Sequence, residues 1–94
     1  MKNIKIDVHL EIFSIFATQD YQSEIFLEIL RKNIEKSEEN KIIVDFSQVC
    51  LATPQFLNNS IGILIKELGK EKLSSKIRFK NPPAELKKLL ISTT

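Results

Sequence analysis

The side chains able to do chemistry in this chain are few and far apart. His9 is the only histidine, so no pair of imidazoles can hold a metal and no relay can be built around it; it reads as a surface residue on the polar side of a strand. Cys50 is the only cysteine. It follows a strand with no histidine near it in sequence, and it reads as a small buried hydrophobe in preference to a nucleophile. Asp45 ends a β-branched run and precedes Ser47 by two residues. A carboxylate there can support a base, but its simpler role is to order its own turn by accepting backbone amides. With two glycines, Gly62 and Gly69, no Gly-rich cradle for phosphate can be written. The expectation is a protein with no catalytic residue, no metal and no cofactor of its own.

Composition narrows the class further. A chain of 94 residues with 43% hydrophobic and 28% charged residues has room for one ordinary globular core and not for two, so residues 1–94 are read as a single domain. The apolar runs fall far short of the ~20 residues that span a bilayer, and the first residues interrupt each apolar side chain with a polar one, unlike a secretory signal. A lone cysteine suits a reducing compartment. A soluble, cytoplasmic protein with no membrane insertion is expected. Charge is uneven: residues 1–61 hold six basic and nine acidic side chains, and residues 62–94 hold eight basic and three acidic. Among Lys66, Lys70, Lys72, Lys76, Arg78 and Lys80 the one aromatic residue is Phe79, too little for a stacking platform, so the basic part reads as a solvated face, and nucleic-acid binding is not expected.

The elements that must position these residues follow from periodicity. Ile4, Ile6, Val8 and Leu10 alternate with Lys5, Asp7, His9 and Glu11, a period of two that predicts a half-buried strand. The phase breaks at Ile12 and Phe13 without Gly, Pro or Asn, so a bulge or an irregular hairpin is expected to connect this strand to a second one around Ile15 and Ala17. Thr18 and Asp20 are candidate caps for a helix whose inward stripe is Ile25, Phe26, Ile29, Leu30 and Ile34. The polar run 37–41 is expected to end it, and Ile42-Ile43-Val44 then reads as a central strand. A second helix carries Leu57, Ile61, Leu64, Ile65 and Leu68. Thr53 caps it, Pro54 is its first residue and Gly69 closes it. After a polar connection, Ile77 and Phe79 mark the last strand, and Asn81-Pro82-Pro83 open a helix facing inward with Leu86, Leu89 and Leu90. The six phenylalanines are spread one per element, which is core spacing. Phe56, beside Gln55, Asn58 and Asn59, is the one expected to be partly exposed.

The segment Ile42-Ile43-Val44-Asp45-Phe46-Ser47-Gln48-Val49, continuing through Leu51-Ala52-Thr53-Pro54-Gln55-Phe56-Leu57-Asn58, resembles the signature of the STAS-like family. The likeness extends through Asn59-Ser60-Ile61-Gly62-Ile63-Leu64-Ile65-Lys66 and over residues 73–81, and it includes Phe16-Ala17-Thr18-Gln19-Asp20 before the first helix. The resemblance implies an α/β fold with a mixed four-stranded sheet and three helices packed on it, in the order β-β-α-β-α-β-α. It also implies a non-catalytic regulatory domain that binds another protein, plausibly a kinase-like ATPase, as anti-sigma factor antagonists do.

The docking surface implied is the loop 47–53 and the exposed side of the helix after it, comprising Ser47, Gln48, Thr53, Gln55, Phe56, Asn58 and Asn59. The antagonists place Asp-Ser-Ser-Gly where this chain has Thr53-Pro54-Gln55-Phe56, so the serine positions are held by residues that cannot be phosphorylated. Thr53, Ser47 and Ser60 remain as nearby hydroxyls, with Thr53 more simply a helix cap. Other roles that fit are an accessory subunit of a transport ATPase and a small-molecule or nucleotide sensor using a helix N-terminus. An exposed edge on the first strand would allow a homodimer by strand pairing.

Overall fold

The computed structural model describes residues 3–36 and 41–92. Its main sheet contains β1 (Ile4–Asp7), β3 (Ile42–Asp45) and β5 (Ile77–Lys80), all parallel, in the order β1-β3-β5. A second, two-stranded parallel sheet joins β2 (Phe16–Ala17) to β4 (Leu51–Ala52). The expected mixed four-stranded sheet is therefore corrected to parallel sheets of three and two strands. The physical reason lies in β2, which is two residues long and pairs with a strand too short to leave a period-two signal.

The helical elements are α1 (Val8–Glu11), α2 (Asp20–Lys36), α3 (Pro54–Asn58), α4 (Ile61–Leu68), α5 (Lys70–Lys76) and α6 (Ala84–Ser92). The expected first strand stops at Asp7, because the next four residues coil into α1. Val8 and Ile12, four apart, are buried inside that turn, and Leu10 faces solvent. The Ser14 amide donates to the His9 carbonyl and the Ile12 amide to Val8, which closes α1 in a Schellman pattern. That motif places its left-handed residue at Phe13, with φ 56°, where glycine is usual. The turn was invisible in the sequence for this reason.

In α2 the buried residues are Gln22, Ser23, Phe26, Leu27 and Leu30, while Ile25 is exposed. The inward arc is thus displaced from the expected stripe by one residue. Neither Thr18 nor Asp20 caps α2. Gln22 does, its Oε1 accepting the Thr18 and Gln19 amides, both at 2.9 Å. Apart from Lys41, the run expected to end α2 lies outside the described residues.

The helix expected from Pro54 to Leu68 is broken in two at Asn59 and Ser60. Ser60 is fully buried, and its hydroxyl donates to the Phe56 carbonyl at 2.8 Å, a back-bond that bends the chain between α3 and α4. Residues 70–75, expected as a polar connection, and Lys76, expected to begin the last strand, form α5, which buries only Leu73 and so carries no apolar stripe.

Both crossovers step the same way across the sheet, so right-handed connections put their helices on one face. Burial agrees. Ile6, Ile42, Val44 and Ile77 point into the core, and the opposite face carries two rows in register, Lys5, Ile43 and Arg78, then Asp7, Asp45 and Lys80. Phe26 of α2 stacks on Phe56 of α3, with centroids 5.6 Å apart, and meets Phe46 edge-on at 6.0 Å. Burying such rings dominates the stability of a small core. Arg31 and Glu67 pair across α2 and α4 at the surface, where such a pair contributes little.

Gly69 closes α4 as expected, its amide donating to Ile65 at 2.8 Å. Its φ of 87° and ψ of 153° belong to a region that essentially only glycine occupies. No heavy atom would lie within 4 Å of an added Cβ, so Gly69→Ala tests backbone strain alone. Urea unfolding should show a loss of about 1–3 kcal/mol with an unchanged m-value.

Candidate functional site

The site is built around the end of β3. Asp45 is 5% exposed, and its Oδ1 accepts the Ser47 amide at 2.8 Å, so the carboxylate orders its own turn as its position suggested. Lys5 Nζ lies 3.8 Å from the other carboxylate oxygen and 3.9 Å from Asp7. The Ser47 amide above all, with the Ser47 hydroxyl, Lys80 and Lys5, holds the Asp45 carboxyl below its ordinary range, against the opposing effect of burial. A group held that acidic is poorly matched to proton abstraction near neutral pH.

The chain then runs across the carboxyl ends of the parallel strands, the edge at which open α/β sheets usually meet ligands. Ser47 and Gln48 are exposed. The Cys50 amide donates to the Ile15 carbonyl at 2.7 Å and the Thr53 amide to Ala17 at 3.0 Å, which ties this loop to β2. Cys50 itself is exposed, not buried as expected: the bond to Ile15 fixes its backbone beside β2, and the core residue of this stretch is Ala52. Thr53 Oγ1 accepts the Phe56 amide at 3.2 Å and Pro54 opens α3, so the cap and the first helical residue are as expected. Gln55 is exposed and donates to Asp20 at the start of α2. Asn58 is exposed and Asn59 half-buried.

Two of the expected site residues lie elsewhere. Phe56, expected to be partly exposed, is 1% exposed because its ring fills the space against Phe26. Ser60 is 0% exposed, its hydroxyl occupied inside the α3–α4 bend. Of the three hydroxyls weighed as phosphoacceptors, Ser47 is exposed, Thr53 is half-buried and engaged as a cap, and Ser60 is enclosed. A phosphate on Ser47 would stand beside the Asp45 carboxylate, a like-charge contact that disfavours it. His9 sits in the helical turn α1, half-buried, and not on a strand.

A signal in the sequence marks the rest of the site. Residues 12–19 and residues 46–65 contain no Asp, Glu, Lys, Arg or His, in a chain that is 28% charged. The fold brings these two stretches together along the β2–β4 ladder. The surface they form includes Phe13, Ile15, Phe16 and Leu51, all largely exposed, beside Ser47, Gln48, Gln55 and Asn58. Among the described residues no cluster of three His, Cys, Asp or Glu could hold a metal ion. No described helix is long and apolar enough to cross a membrane.

The Asp45 turn gives a pH dependence with a defined sign. Its carboxyl is more acidic folded than the ~3.9 of an unfolded aspartate, so its stabilisation is complete above that value and is lost as pH falls through the lower folded one. Asp45→Asn should therefore be less stable than wild type at pH 7. The difference should shrink below about pH 4, as read from urea midpoints across a pH series.

No match was found among curated proteins or among solved structures. The model of a family described as a STAS-like domain of unknown function, DUF4325, matches residues 28–85. That span runs from the middle of α2 through β3, the Asp45 turn, α3, α4 and β5 to the start of α6, so the chain belongs to this STAS-like family.

Proposed function

We propose that the domain is a non-catalytic, protein-binding regulatory module. Its docking surface is the neutral loop and helix formed by Ser47, Gln48, Thr53, Pro54, Gln55, Asn58 and Asn59. The observation that supports this most is that every exposed or half-exposed side chain between residues 46 and 59 is uncharged. Depletion of charge is a compositional mark of the core of a protein interface, and the amides of Gln48, Gln55, Asn58 and Asn59 leave hydrogen-bonding groups for a partner to meet. The family resemblance points the same way, and a kinase-like ATPase is the partner it suggests. Such a surface needs rigid support. Thr53 capping, the Phe56 anchor and the Asp45 turn supply it.

A nucleotide sensor is less favoured by the geometry. The helix α3 has five residues, and Thr53 already takes its Phe56 amide, so the anion cradle that motivated that reading is not built there. Enzymatic chemistry forms no part of this proposal.

The test is affinity capture with quantitative mass spectrometry. A stoichiometric partner is expected for the wild type. Gln55→Arg combined with Asn58→Arg changes two exposed residues and should weaken capture by at least about tenfold, with the circular dichroism spectrum and melting temperature retained. Undiminished binding by that folded variant would remove this face from consideration.

A further inference from the structure

We propose that a second copy of this chain packs symmetrically on the apolar surface made by Leu10, Phe13, Ile15, Phe16 and Leu51. Their exposures are 58%, 90%, 42%, 51% and 52%. These residues are neighbours. Phe16 and Leu51 sit opposite each other in the β2–β4 register, the Ile15 carbonyl accepts the Cys50 and Leu51 amides, and Leu10 and Phe13 flank the turn that leads into β2.

The occupant follows from area, charge and the backbone at Phe13. Together these side chains expose on the order of 600 Å², the upper end of what monomers leave open. With Ser14 and Cys50 around the margin the footprint approaches the ~800 Å² per partner of a stable complex. A two-fold contact sets one surface against itself, and like charges are what usually forbid that. Here there are none in residues 12–19 or 46–65, and the one acid next to the patch in sequence, Glu11 after Leu10, is half-buried. A partner selected by charge would find nothing to read on the same surface.

Phe13 is the sharpest feature. It holds a left-handed backbone, φ 56°, at the position where this helix ending favours glycine, and its ring is almost fully in solvent. The turn itself would be better served by glycine, which has no Cβ to strain it. An aromatic anchor at the centre of an interface is where such an arrangement returns its cost.

Sedimentation equilibrium on the full chain, from micromolar to about 1 mM, reads the association directly. A reversible monomer–dimer equilibrium is expected, with dilution shifting the amide resonances of residues 10–17 and 50–52. Phe13→Gly removes the ring while suiting the backbone, so it should fold at least as well as wild type and weaken dimerisation about thirtyfold or more. Leu51→Glu, which sets carboxylates against each other across the symmetry axis, should do the same. A wild type that stays monomeric up to about 1 mM, or a dimer indifferent to both variants, overturns the proposal. If capture of a different protein then depends on Phe13, that protein and not a second copy covers this surface. The Gln55→Arg, Asn58→Arg variant should keep the dimer, so loss of the dimer and loss of the partner are separate results.

Discussion

Phe26 is the side chain on which α2, α3 and the end of β3 converge. Its ring is stacked on Phe56 and edge-on to Phe46, and all three are almost wholly out of water. Each such ring removes some 150–250 Å² from solvent, so this seam outweighs a weak surface ion pair such as Arg31–Glu67 that also links helices. Its consequence reaches the surface. Once Phe56 is drawn inward, the helical period turns Gln55 and Asn58 outward, and Ser60 is pulled into the bend where its hydroxyl finds the Phe56 carbonyl. The orientation of the proposed docking face is decided in the core beneath it.

The sheet imposes a second constraint. Parallel sheets are ordinarily covered on both faces, but two crossovers stepping in the same direction cover only one. The uncovered face is therefore made tolerable by charge. Lys5 lies within 4 Å of both Asp7 and Asp45, and Lys80 adds to the field that keeps Asp45 ionised. That same carboxylate holds the Ser47 amide. The solvation of the open face and the shape of the loop that follows β3 thus share one side chain.

Placement of charge divides the molecule by role. Helices and the open sheet face carry the acids and bases, while the two stretches without any charge meet at β2 and β4. Neutrality has a cost in solubility, since exposed Phe13, Phe16 and Leu51 sit where a solvated protein would place lysine or glutamate. The proposed association of that surface with a second copy would remove the cost. In the two proposals the polar amides of α3 and the apolar residues of the α1–β2 turn serve different contacts on adjoining parts of one neutral surface.

Much of this architecture was legible from residues within a few positions of one another. Pro54 after Thr53, the turn at Asp45, the stop at Gly69, the β-branched β3, the alternation in β5 and the proline-led α6 all rest on local hydrogen bonds or backbone preferences. These operate whatever the rest of the chain does. The membership of Ile42 to Gly62 in a STAS-like pattern was legible for the same reason. What the tertiary structure alone decided involves partners distant in sequence. Phe56 is inside because Phe26, thirty residues earlier, meets it. Cys50 is outside, its backbone fixed beside β2 by the bond to Ile15. The second strand leaves the main sheet to pair with two residues that have no period of their own, and α5 forms around the single buried Leu73. Phe13 closes a turn in glycine's place. Local chemistry determines where a chain bends and caps, whereas exposure depends on which distant surface arrives, and that is settled only when the core closes.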